Sequence, residues 1–269
     1  MVISIPGLCW VLDFYKSNER FHSLSLIHLL ISLAMYILLP PILFPWGVFV
    51  SKTFKGKVIN PRLGTMLSHI SAPLIFLYMQ FYYPNGYVFS LPSCLFLSQY
   101  FYRCIIYPFF KKSYARPIPL RTILFNAAIS FHFGFCSSRM IIFNPSTNYL
   151  MNFFLSIAFI ALGILGAIHD FIICSARKPD PQAYDIVNKW GFKWVTCPQY
   201  GCQAIQWMLY TSFADNLPDW GSCIVYVGYL LLVRADLIHH FMLRTIPQYQ
   251  FLQKFPAIPF VRSSKFFLN

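Results

Sequence analysis

Charge is what this sequence has least of, and negative charge least of all. Only 11% of its residues are charged, with 8 acids against 21 bases and a net charge of +13, where an ordinary soluble domain carries about 25%. A chain that is also 57% hydrophobic cannot clothe a soluble surface, so it reads as a membrane protein. Catalytic signatures are missing too: no glycine-rich phosphate loop, no G-x-S-x-G elbow and no H-E-x-x-H pair. Phosphate binding would then fall to Arg, Lys and Tyr side chains. The eight cysteines, at 9, 94, 104, 136, 174, 197, 202 and 223, lie mostly inside apolar runs and outline no disulfide or zinc framework. Cys197 and Cys202 bracket four residues without a second ligand pair, so no metal is expected. Asp13, Lys16, Glu19 and Arg20 precede any long apolar run, unlike the layout of a cleaved signal peptide.

Long apolar runs fall at about residues 24–48, 66–83, 90–110, 120–142, 149–175, 197–214 and 220–243. At 1.5 Å per residue each can cross a hydrocarbon core of about 30 Å, which predicts an all-α integral membrane fold, a seven-transmembrane-helix bundle forming one domain over 1–269. The bases alternate between connections. Lys52, Lys55, Lys57 and Arg62 lie in the first, Lys111, Lys112, Arg116 and Arg121 in the third, Arg177, Lys178, Lys189 and Lys193 in the fifth, and Arg244, Lys254, Arg262 and Lys265 in the tail. The intervening "YPNGYVF", "FNPSTN" and "DNLPD" carry no base. That places 16 of 21 basic residues on one side, which the positive-inside rule makes the cytosol. The N-terminus is then lumenal and the C-terminus cytosolic. Basic residues distributed this way form no nucleic-acid-binding face.

Polar groups inside a bilayer are costly and face a bundle interior or a cavity, so each is a site candidate with a structural alternative. Thr65, Ser68 and His69 form a stripe at the start of the second span. Tyr100, Arg103 and Tyr107, at i, i+3 and i+7, share one face of the third. His169 and Asp170 lie two turns before the end of the fifth, after Gly163 and Gly166, which admit a close neighbour. In the last span Arg234, Asp236, His239 and His240 gather, and Asp236 with His240 (i, i+4) can simply neutralise each other. Arg139, near the lumenal end of its span, is expected to snorkel to the interface. His132 and His28 read as core residues bonded to a neighbour.

From Arg177 the chain reads "RKPDPQAYDIVNKWGFKWVTCPQYGCQAIQW", then "R-x4-HH" and "AIPF"; earlier come "NPRLG", "QYFYRCIIYPF" and "ARPIP". Over roughly residues 55–260 this order resembles the steroid 5-alpha-reductase family. The resemblance implies an NADPH-dependent oxidoreductase of the endoplasmic reticulum membrane that reduces a carbon–carbon double bond conjugated to a carbonyl in a lipid such as a 3-oxo-delta-4 steroid. It implies that Tyr100 and the residue at position 69 donate to the substrate carbonyl. Arg103, Arg116, Asp170, Arg177, Tyr184, Gln199, Gln203, Arg234 and His239 fall at positions that contact or support the cofactor.

The departures are as informative. His69 stands where the family carries a glutamate, Ser71 where a proline is usual, and Lys189 and Trp190 replace two residues of a glycine turn. Gln199 occupies an Asn/His-type position, Gln203 replaces a glutamate, Gly166 an asparagine and Leu243 a tyrosine. The Arg-to-His spacing in the last span is one residue long, which leaves His239 and His240 as alternatives. Two other functions stay open: a trans-2-enoyl-CoA reductase of fatty-acid elongation, and a non-catalytic relative that binds sterol or NADPH without turnover.

Overall fold

A computed structural model describes residues 56–83, 89–112, 115–143, 146–176, 186–214 and 228–258. The predicted first span, Arg177, Tyr184 and most of the lumenal connections lie outside the described residues. Those described are almost entirely helical.

Asn60 opens the first helix, α1 (Pro61–His69), accepting the Arg62 amide at 2.9 Å, with Pro61 at the first helical position, where its missing N–H costs nothing. A second helix, α2 (Ser71–Tyr82), follows after Ile70. The sequence predicts one unbroken span here. The break is explained by Pro73, which has no N–H to give the carbonyl four residues back, that of His69. Next come α3 (Leu91–Phe101), a wide π turn over Tyr102–Ile106, and a short α4 (Tyr107–Phe110). The third predicted span is thus interrupted in its middle. Two-residue strands β1 (Val58–Ile59) and β2 (Ile118–Pro119) pair antiparallel and tie the chain ahead of α1 to that ahead of α5 (Leu120–Phe143).

The α2–α5 pair is held by small residues at close approach. A Cβ built on Gly134 would fall 2.3 Å from the Ala72 carbonyl oxygen, so only glycine lets the backbones meet. Serines then cross to α5: Ser71 Oγ donates to Ala127 O at 2.6 Å and Ser138 Oγ to Phe76 O at 3.2 Å across the α2 seam, and Ser130 Oγ to Ser68 O of α1 at 2.9 Å. His132 sits 3.6 Å from Cys136 Sγ, bonded to a neighbour as expected but half-buried instead of in the core. Arg139 departs from expectation: instead of snorkelling it is 2% exposed, with its guanidinium over the Phe143 ring at 5.2 Å. Its helix leans on α2, and Tyr83 just beyond α2 meets the Phe143 ring edge-on at 5.2 Å.

The long helix α6 (Tyr149–Ser175) matches its predicted span at both ends and is, among the described residues, the one helix long and apolar enough to cross a membrane. Leu150, Phe153, Phe154, Ile157, Ile160, Ile164, Ile168 and Phe171 form an exposed apolar stripe along it, which a lipid surface would cover. The opposite face, with Ser156, Phe159, Gly166, His169, Asp170 and Cys174, is buried. It meets α7 (Pro198–Thr211), which follows a 3-10 turn at Trp190–Lys193. A second π turn at Gly228–Val233 leads into α8 (Arg234–Thr245) and a 3-10 turn at Pro247–Leu252. The chain then returns across the start of α7. Thr196 N donates to Phe255 O at 2.7 Å, Cys197 N to Pro256 O at 2.9 Å and Phe255 N to Trp194 O at 2.9 Å. Gly201 makes this crossing possible, because a Cβ there would lie 2.4 Å from the Ala257 carbonyl oxygen.

Candidate functional site

Arg103 sits in the π turn after α3 and is held from three sides. Its Nη1 lies 3.1 Å from Asp170 Oδ2 on α6, and its guanidinium stands over the rings of Tyr107 at 5.0 Å and Tyr102 at 5.4 Å. The Tyr102 hydroxyl also donates to Asp170 Oδ2 at 3.1 Å. Tyr107 was predicted on this face; Tyr102 was not, because an uninterrupted 3.6-residue helix turns it away. In the π turn, with about one residue more per turn, Tyr102 lies beside the arginine as well as Tyr107. Arg103 Nη2 remains buried without a hydrogen-bond partner among the described residues.

Lys111 completes this region from just beyond α4. It is buried, its Nζ donates to Thr65 Oγ1 at 2.6 Å, and it stands 5.2 Å from the Tyr107 ring centroid. Thr65 and Ser68 are fully buried, each hydroxyl donating 2.7 Å to the carbonyl one turn back. The predicted polar stripe therefore does face inward. His69, half-buried at the end of α1, lies within electrostatic reach of Arg103, Lys111 and Arg234. Beside it, Ile70 packs on the aromatic cluster that contains Tyr100.

Tyr100 itself is 7% exposed and lies among rings, 4.7 Å from Phe96 and 5.8 Å from Trp207 by centroid. It stands on the apolar side of the site, one turn from the charges. Across from it α7 buries Gln199, Gln203 and Gln206. Gln206 Nε2 donates to Phe159 O at 3.1 Å, while Gln199 Oε1 and Gln203 Nε2 are buried without partners among the described residues. Gly163 admits α7 closely, since a Cβ there would lie 2.7 Å from Gln206 Nε2, whereas one on Gly166 would make only ordinary contact, 3.6 Å from Cys202 Cβ. His169, adjacent to Asp170, packs edge-on to Phe192 instead of joining the charges.

Arg234 opens α8 with its guanidinium 5.9 Å from the Tyr200 ring of α7. His239 is buried, with Nδ1 2.6 Å from Thr196 Oγ1, which also bonds the Tyr249 hydroxyl. His240 instead lies 3.8 Å from Asp236, the neutralising pair expected from their spacing. His239 is therefore the histidine turned inward. Burial pushes the Tyr249 phenol up to about 12, so it stays a protonated partner. Arg116 is half-buried ahead of β2, apart from the Arg103 contacts described above. Arg177 and Tyr184 lie outside the described residues.

What the sequence missed are partners: Tyr102 and Lys111 for the charged cluster, Thr196 and Tyr249 for His239. Lys111 carried a signal, being a lysine directly after an aromatic span, but it was read as loop charge. Thr196 carried none beyond its place before α7.

The geometry gathers Arg103, Lys111 and Asp170 beside the aromatic cluster around Phe96, with Arg234 within electrostatic reach of His69 next to them. Among these described groups three cations meet one acid, a surplus suited to a polyanion. Comparison with known proteins points the same way. The sequence model of the 3-oxo-5-alpha-steroid 4-dehydrogenase family matches residues 116–262. The chain is 27% identical over 182 residues to 3-oxo-5-alpha-steroid 4-dehydrogenase 1 of Homo sapiens, covering 64% of this chain and 69% of that protein. It is 28% identical over 188 residues to the enzyme of the same name from Macaca fascicularis, covering 64% and 68%. The family match takes in Arg116, Asp170, Gln199, Gln203, Arg234 and His239 but begins beyond His69, Tyr100 and Arg103. Since it spans more than half of the sequence, the chain belongs to the 3-oxo-5-alpha-steroid 4-dehydrogenase family.

Proposed function

We propose that this protein is an NADPH-dependent reductase of the endoplasmic reticulum membrane, a single domain of seven spans with a lumenal N-terminus and cytosolic C-terminus. It reduces the conjugated carbon–carbon double bond of a 3-oxo-delta-4 steroid to the 5-alpha product. The observation that carries the reading is the cluster of Arg103 and buried Lys111 with a single carboxylate, Asp170, next to the packed rings that include Tyr100.

The residues fit a nicotinamide dinucleotide. Its phosphates need positive charge and donors, which Arg103, with its unpartnered buried Nη2, and Arg234 supply. Arg116 and Arg177 add guanidinium forks from the loops, with Tyr184 and His239 as supports. Gln199 Oε1 and Gln203 Nε2 offer a buried acceptor and donor to a neutral amide. When bound, the cofactor would supply the hydride that adds to the beta carbon, and a proton drawn ultimately from solvent would complete the alpha carbon.

The chain's own contribution lies at the carbonyl. As the hydride arrives, negative charge builds on the carbonyl oxygen, so a donor aimed there acts mainly in the transition state. Tyr100 holds such a proton inside a wall of rings that excludes water and strengthens each dipole. His69 is the second donor, able to give a hydrogen bond in either protonation state. Arg103, Lys111 and Arg234, within electrostatic reach of it, favour an anion whether or not the imidazole is charged. Asp170 keeps Arg103 in place and never meets the substrate.

The test is purified protein with NADPH and a panel holding progesterone, a sterol enone and a long-chain trans-2-enoyl-CoA, read by mass. The expected outcome is a gain of two hydrogens on a 3-oxo-delta-4 steroid. Thermal stabilisation by NADPH with no reduced product from any member would overturn the catalytic reading and leave a binding protein.

A further inference from the structure

The turn that precedes α7 reads "KWGFKW", residues 189–194, and its two tryptophans point away from the protein: Trp190 is 65% exposed and Trp194 60%. Lys189, just before Trp190, and Lys193, just before Trp194, are exposed too, and Lys193 Nζ lies 5.8 Å from the Trp194 ring. Trp190 also holds a left-handed backbone, φ 53°, a conformation that glycine adopts freely and a bulky residue does not. With its side chain exposed, little inside the fold offsets that strain, which directs attention outward.

The height of the turn is fixed. Phe192 is buried against the His169 ring at 5.6 Å, and Gly191 lies so close that a Cβ would be 2.7 Å from His169 Nε2. His169 is six residues, about 9 Å, from the end of α6. That helix of 27 residues is about 40 Å long, so about 5 Å of each end projects beyond a hydrocarbon core of about 30 Å. His169 thus lies about 4 Å inside the core edge, and the turn packed against it sits at the boundary between core and headgroups. Tryptophan favours that layer, and lysines beside it meet anionic headgroups while their stems lie along apolar surface.

We propose that residues 189–194 form an interfacial anchor, with Trp190 and Trp194 seated among the headgroups of an anionic leaflet and Lys189 and Lys193 binding its phosphates and carboxylates. The anchor rests on the membrane reading above. It would fix the start of α7, and with it Gln199 and Gln203, relative to the bilayer.

The test uses the full chain in phosphatidylcholine vesicles, with and without phosphatidylserine. Flotation with the vesicles checks the membrane reading separately; failure of the parent chain to float overturns both. For the anchor, phosphatidylcholine brominated near the headgroup end of its acyl chains should quench tryptophan emission. The W190F/W194F chain, which removes two of six tryptophans, should lose most of that quenched component. Phosphatidylserine should deepen quenching in the parent and not in K189Q/K193Q. If the emission lost in W190F/W194F is instead the part quenched by aqueous iodide, with lipid quenching unchanged, the turn faces water or another protein and the anchor is refuted. Single W190F and W194F chains give the same readout should the double variant not fold.

Discussion

Phe96 and Arg103 lie two turns apart along one stretch of chain, yet the regions they centre are built in opposite ways. Around Phe96, rings fill the space: Phe76 stacks at 4.2 Å, Tyr100 tilts at 4.7 Å and Trp207 meets it edge-on at 5.7 Å. Around Arg103, a single carboxylate and two phenols hold a guanidinium that still keeps one buried nitrogen in reserve. The first region is complete without a ligand; the second is complete only with one. The difference teaches where substitutions should cost folding and where they should cost binding.

The strongest way to break the contrast is Phe96→Ala. Emptying this fully buried position should destabilise the protein by about 3–5 kcal/mol, seen as a fall in Tm in detergent, while the folded fraction binds NADPH with unchanged affinity. A parallel loss of NADPH affinity would show the regions to be one. Tyr100→Phe sits on the boundary. It should lower kcat about 10²–10³-fold, the usual cost of one oxyanion donor, with NADPH affinity retained and Tm nearly so; loss of binding would place Tyr100 with the cofactor. Tyr102→Phe sharpens the other side with the smallest effect. Removing the phenol that steadies Asp170 should cost about 1 kcal/mol, measured as an approximately fivefold weaker NADPH Kd at unaltered kcat.

Much of this was legible beforehand, and the reasons are particular. The span 149–175 was read correctly because nothing inside it breaks helix geometry. Gly163, Gly166 and Asp170 were marked by rarity, since small or charged residues in an apolar run stand out. The Asp236–His240 pair followed from spacing alone. The π turn was invisible, because no residue type announces it and its effect is a change of phase. The break at Ile70 was encoded in Pro73 but masked by the apolar run around it. Arg139 was misread because burial depends on which helices surround it, information that its own span does not hold. Thr196 and Tyr249 meet across 53 residues, a distance that local pattern does not reach.

The π turn at Tyr102–Ile106 has a consequence for length. An α-helix advances about 100° per residue, so one extra residue rotates everything beyond it by that angle. Lys111, beyond the turn, meets Thr65 with this offset in place. Deleting a single residue between Arg103 and Tyr107 would leave the apolar character of the helix intact and swing its cations toward the lipid. A point substitution there changes one side chain, whereas a one-residue deletion would change which face the rest of the helix presents.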